Sequence, residues 1–133
     1  MKRELIIASE LKELNNLRLF LNQFFIDTNL SQGYFNRVFL GLSEAVSNSI
    51  IHGNKNDCSK KVFISFLYGE NKLVITVRDE GSGFPLNNVE DPTQPDNLKK
   101  ENGRGIFLIQ QIADEVYFYD GGNKIQILYS LGK

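Results

Sequence analysis

The sequence holds one cysteine, Cys58, and no tryptophan. A single cysteine excludes a disulfide framework within the chain and makes a reducing compartment the natural setting. The only histidine is His52, so a Ser-His-Asp hydrolase is hard to build and a histidine-rich metal site is excluded. No long basic run occurs, and 15 Lys and Arg nearly balance 16 Asp and Glu. That lacks the electrostatic footprint of a nucleic-acid binder, and Lys60-Lys61 and Lys99-Lys100 read as solvated surface. No apolar run could span a membrane. Leu5 to Ala8, after Met1-Lys2-Arg3-Glu4, is too short for a signal-peptide core. These absences predict a soluble, cytoplasmic protein with neither nucleic acid nor membrane as a partner.

At 133 residues the chain fits one domain, taken as 1–133, with a core that needs no staples. Ten Phe and five Tyr supply the bulk that tryptophan does not. Residues 4 to 8 read as a strand. Ser9 reads as the N-cap of a helix whose Leu11, Leu14, Leu17, Leu21, Phe24 and Phe25 repeat at helical spacing up to Asn29. Ser31 opens a second helix with Phe35, Val38, Phe39, Leu42, Val46 and Ile50 on one face. It is expected to stop at a left-handed cap near Gly53-Asn54. Val62 to Tyr68 and Leu73 to Val77 form a hairpin across Gly69-Glu70-Asn71. Residues 80 to 102 contain all three prolines and read as a long, functional loop. A short helix follows over Ile106 to Ile112, opened by Gly103-Arg104-Gly105. Strands over Glu115 to Tyr119 and Lys124 to Leu128 complete the chain. Helices and hairpins segregate, which predicts a two-layer α/β sandwich: an antiparallel or mixed sheet with helices on one face.

Three constellations carry chemistry. On the second helix Arg37, Gly41, Glu44 and Asn48 fall in one stripe, roughly 60° wide. The Asn48 amide carbonyl suits Mg²⁺, which keeps most of its waters, and Glu44 could accept a proton. An exposed polar pair explains the same spacing. In Asp79-Glu80-Gly81-Ser82-Gly83, Asp79 ends an apolar strand and could accept from the exocyclic amine of adenine, with glycines admitting the base. Taken alone, a simple turn is the better reading of this segment. In Gly103-Arg104-Gly105, glycine N–H groups at a helix start and the Arg104 guanidinium suit a phosphate. A hinge before the helix is the plainer alternative. Singly each signal is weak, and neither a Walker A loop nor a dinucleotide fingerprint is present.

Together and in this order they are strong, and they resemble the Bergerat-fold ATPases of gyrase, histidine kinases and mismatch repair. The run Ser43-Glu44-Ala45-Val46-Ser47-Asn48-Ser49-Ile50-Ile51-His52-Gly53 resembles the helix of bacterial anti-sigma-factor serine kinases. So do Arg78-Asp79-Glu80-Gly81-Ser82-Gly83, Asp91-Pro92-Thr93 and Gly103-Arg104-Gly105-Ile106-Phe107-Leu108-Ile109 followed by Asp114-Glu115-Val116. The resemblance covers nearly the whole chain. It implies ATP and Mg²⁺, with Asn48 holding the metal, Glu44 as general base and Asp79 reading adenine. Gly81, Gly83, Gly103 and Gly105 would shape the pocket, and residues 84 to 102 would be a lid over the phosphates. Arg18 would lie at a partner interface. The implied partners are a sigma factor and an anti-sigma-factor antagonist protein, and the family often forms homodimers.

The implied activity is transfer of the γ-phosphoryl of ATP to a serine of the antagonist. The rival from another class is an ATP-gated binding module that sequesters a partner without transfer. Glu44 favours the kinase. A detached histidine kinase domain is disfavoured, because no room remains for a phosphoacceptor helix.

Overall fold

The computed structural model describes residues 1–81, 101–119 and 123–132, and over 101–106 it describes the backbone. Five strands make one antiparallel sheet: β1 (Lys2–Ala8), β2 (Lys61–Gly69), β3 (Lys72–Asp79), β4 (Glu115–Tyr119) and β5 (Lys124–Ser130), in the order β1-β2-β3-β5-β4. Three helices, α1 (Leu14–Thr28), α2 (Phe35–Asn48) and α3 (Glu101–Ile112), cover one face. This is the predicted two-layer architecture. Strand residues alternate: Ile64, Phe66, Ile75, Val77, Ile125 and Ile127 are buried under the helices. On the other face Ile6, Leu67, Tyr117 and Tyr119 stay exposed. Among the described residues no helix is long and apolar enough to cross a membrane.

Aromatic side chains knit the layers. Phe20 and Phe24 of α1 each lie 5.4 Å from Phe66 of β2, ring centre to ring centre. Phe25 meets Phe35 of α2 edge-on at 5.4 Å. Such pairs contribute about 0.5–1.5 kcal/mol each beyond their buried area.

Several local expectations change. Ser9 caps no helix. The chain enters a 3₁₀ turn (Leu11–Glu13) from Glu10, which makes no capping bond, and Leu11 is exposed. The Ser9 hydroxyl donates instead to the Lys60 carbonyl at 2.8 Å, because β1 must be joined to the segment entering β2. α1 ends at Asn29, as expected, and that residue takes the left-handed conformation. Ser31 accepts from the Gly33 N–H in the 3₁₀ turn that leads into α2. α2 does not reach a left-handed cap at Gly53-Asn54: it widens into a π turn over Ser49–Gly53, and Asn54 is right-handed. The positive φ values fall on Lys55 and Asn56. Gly69 belongs to β2, and the hairpin turns on two residues, Glu70 and Asn71, both at positive φ as a tight mirror-image turn requires. α3 begins at Glu101, so Gly103, Arg104 and Gly105 are helical and Glu101 and Asn102 leave the long loop. The remainder of the expected lid, residues 84 to 100, lies outside the described residues.

Gly41 shows why α2 and the sheet approach closely. A Cβ there would overlap the Tyr129 hydroxyl of β5, while Ile112 Cδ1 and Tyr129 Cζ stand at 3.4 and 3.5 Å, ordinary contacts. Tyr129 is 1% exposed and cannot swing away. Gly41→Ala is therefore expected to cost about 1–3 kcal/mol, the usual penalty for overpacking. Tyr129→Phe in the same chain should recover most of it, since only the hydroxyl collides. Denaturant unfolding of the two variants checks this.

Candidate functional site

Register decides which end of the sheet each piece occupies. Asp79, the last residue of β3, stands opposite Val62 near the start of β2, so α2 and its π turn deliver the chain to the Asp79 end. β4 runs parallel to β3: Glu115 aligns with Leu128 and through it with Val74, and Tyr119 aligns with Lys124 and Arg78. α3 ends at Ile112, three residues before Glu115, and therefore points its last turn at the far end. Arg37, in the first turn of α2, confirms this by donating from Nε to the Ile112 carbonyl at 2.6 Å. The two helices run in opposite directions. The first turns of α3, with Gly103, Arg104 and Gly105, and the last turn of α2, with Glu44 and Asn48, lie at the Asp79 end.

The predicted stripe on α2 thus divides. Arg37 also pairs with Asp114 at 3.3 Å and stacks over Tyr129, and Gly41 is a packing contact. Both are structural. Glu44 is half-buried and pairs with no cation among the described residues. Asn48 is 6% exposed, and its Nδ2 has no hydrogen-bond partner among the described residues. A buried amide donor without an acceptor costs about 1–3 kcal/mol. That is a deficit an oxygen-rich ligand removes.

Asp79 is 3% exposed. Inward-facing strand positions such as Ile75 and Val77 place it in the helix layer, while Arg78 points to the open face and stacks on Phe63. Its Oδ1 accepts from the Gly81 N–H at 2.9 Å. Burial pushes its pKa above the ordinary 3.8, and the Gly81 N–H, the Ser49 hydroxyl and the charges of Arg78 and Lys60 oppose that shift. A Cβ on Gly53 would overlap the Asp79 carboxylate, and one on Gly81 would run into the Gly53 carbonyl. Only glycine fits at these two positions, and Gly53, read from the sequence as a helix-ending cap, and Ser49, read as part of the helix, both belong to the cradle. Gly83 lies outside the described residues. Arg18 is apart from this cluster, exposed on α1 in a shallow depression with Asn15, Leu19, Asn22, Gln32 and Phe35. Another depression, near Ile6, Phe63, Thr76, Arg78 and Lys124, occupies the open sheet face, which Asp79 does not reach.

Comparison with known proteins gives the family. The histidine kinase-like ATPase domain family matches residues 7–129, nearly the whole chain. The chain belongs to this family. As a histidine kinase-like ATPase domain it is built to bind ATP. An anti-sigma F factor of Anoxybacillus flavithermus is 35% identical over 99 residues, 69% of this chain and 66% of that protein. One of Geobacillus thermodenitrificans is 37% identical over 92 residues, 66% and 62% of the two chains. That of Bacillus subtilis is 35% identical over 79 residues, 56% and 53%. The matched part spans a little under two thirds of the first two relatives' length. The crystal structure of the RsbU and RsbW domains of a Mycobacterium tuberculosis protein matches all of this ATPase domain and 33% of that chain. Its TM-score is 0.70 at 13% identity, a likeness of fold.

The Asp79 shift makes a stability prediction. A carboxyl whose pKa is raised by folding holds its proton more tightly in the folded state. Its contribution to stability therefore falls as pH rises from 3.8 through the raised value, by up to about 1.4 kcal/mol per pH unit in that window. Asp79→Asn keeps the acceptor for the Gly81 N–H and has no charge to bury. Its thermal midpoint should exceed the parent's, with the gap widening through the window and constant above it. Thermal unfolding at a series of pH values measures that gap.

Proposed function

We propose that this chain is an ATP-binding regulatory protein of the anti-sigma-factor type, and a kinase that phosphorylates a serine of an anti-sigma-factor antagonist. The observation that carries the reading is the buried, unpartnered Asn48 amide one turn after Glu44, at the same end of the sheet as the buried Asp79. The relatives named anti-sigma F factors supply the regulatory setting. The chain would work as one domain in the cytoplasm, with a sigma factor and the antagonist as partners and Arg18 at their interface. A second copy would meet it as a homodimer.

The residues fit Mg-ATP. Asn48 has an unanswered polar group among the described residues, and Gly53 and Gly81 let backbone pack directly against a buried carboxylate that could read a base. Asn48 would hold Mg²⁺, which would supply charge neutralisation at the phosphates. Asp79 would accept from the exocyclic amine of adenine. Gly103 and Gly105, in the first turns of α3, would offer backbone N–H groups to a phosphate. Arg104 would clamp a phosphate. Glu44 would take the proton of the incoming serine hydroxyl while that oxygen bonds to the γ-phosphorus and the bond to the departing ADP oxygen breaks.

Asn48→Ala should weaken Mg-ATP binding by about 1.5–3 kcal/mol, the worth of a hydrogen bond to a charged group. Its thermal midpoint without nucleotide should not fall, because the Nδ2 group it removes has no partner among the described residues to lose. Calorimetry and thermal unfolding read the two effects separately.

Glu44→Gln should bind Mg-ATP nearly as well as the parent but phosphorylate the antagonist roughly 10²–10⁴-fold more slowly. Labelled ATP with antagonist proteins encoded nearby is the assay. Transfer at the parent rate removes Glu44 as the base. If the parent labels no antagonist while its sigma-factor affinity still responds to ATP, the protein is an ATP-gated binder instead.

A further inference from the structure

Asn54 is the most fully engaged polar side chain described. It is 0% exposed and lies where the π turn leaves α2. One amide hydrogen goes to the Ser9 hydroxyl at 2.7 Å and the other to the Lys61 carbonyl at 3.0 Å. Its Oδ1 accepts the Glu80 N–H at 2.9 Å. Its own N–H reaches the Ser49 carbonyl at 2.7 Å, and its carbonyl accepts from Asp57 at 3.0 Å. Ser9 passes the connection on to the Lys60 carbonyl, and the Glu80 carboxylate closes a ring by accepting the Lys61 N–H at 2.8 Å. The end of β1, the end of the π turn, the start of β2 and the end of β3 thus meet on one amide.

The Glu80 N–H belongs to the peptide that joins Asp79 to Glu80, and the next N–H, of Gly81, holds the Asp79 carboxylate. Asn54 therefore fixes the backbone on which that carboxylate is aimed. Its two donors and one acceptor form a fork that no aliphatic, hydroxyl or carboxylate side chain reproduces. We propose that Asn54 is the positioning residue for the base-recognising end of this site, setting its preference for a 6-amino purine over a 6-oxo purine. The proposal rests on Asp79 accepting from the adenine amine. A buried acceptor left facing a carbonyl rejects the wrong base strongly, but only while it is held in place.

The test is calorimetric binding of ATP, inosine triphosphate and inorganic tripolyphosphate to the parent and to Asn54→Ala, each with Mg²⁺. The parent should prefer ATP to inosine triphosphate. In Asn54→Ala that preference should shrink about tenfold or more, with tripolyphosphate affinity unchanged. A parent with no preference between the purines defeats the reading of Asp79 and this proposal with it. A parent that discriminates and an Asn54→Ala variant that discriminates equally defeats the proposal alone. Equal losses for tripolyphosphate and ATP do the same, since a general loosening of the fold predicts them. Should Asn54→Ala fail to fold, Ser9→Ala decides, because it removes one anchor of the Asn54 amide beyond the site. An about threefold loss of purine preference supports the proposal, and an unchanged preference overturns it.

Discussion

A carboxylate held out of water at the end of a central strand is the constraint around which this molecule is arranged. Asp79 is 3% exposed, and its burial works against its charge. What keeps it there is local: the Gly81 N–H, the Ser49 hydroxyl and the absence of a side chain at Gly53. Each comes from a different piece of chain. The π turn brings Ser49 and Gly53, β3 brings Asp79, and the turn after it brings Gly81. Functional sites commonly carry such a cost, and the packing elsewhere offsets it. Here the aromatic contacts of Phe66 with α1 and of Phe25 with Phe35 are the counterpart.

Much of this was legible in the sequence. The period-two runs of β2 and β3 and the helical spacing of Leu17, Leu21, Phe24 and Phe25 fixed element type, and their order implied the two layers. Glu44, Asn48 and Asp79 were legible as polar residues placed against apolar patterns. Less legible was anything that depends on which segments meet. Ser9 has the chemistry of a cap, and only the pairing of β1 with β2 shows that its hydroxyl is used across the sheet. Asn54 reads as a stop signal, since asparagine commonly ends helices. Its burial and its bond to Glu80 span 26 residues, a separation that no local pattern encodes. Arg37 shares a helical stripe with Glu44 and Asn48, yet the register of β4 turns it into the clasp for the end of α3.

Direction matters as much as proximity in α3. Its last turn is fixed by Arg37, and Ile112 lies beside Gly41. Its first turns therefore approach the Asp79 end with their N–H dipoles leading, the polarity that suits an anion. Reversing the helix would present carbonyls at that end instead. The antiparallel pairing of β5 with both β3 and β4 is what makes that reversal impossible without a different sheet.

The strand order β1-β2-β3-β5-β4 places the last strand in chain order in the interior of the sheet. On a ribosome, β1, β2 and β3 can pair as they emerge, but β3 keeps a bare edge until β5 has been made. β4 emerges before the neighbour it pairs with. Folding is thus completed by inserting the final strand between two that are already waiting, a non-local step that is slow compared with hairpin closure. Until then the β3 edge, leading to Asp79, is open to any other extended chain.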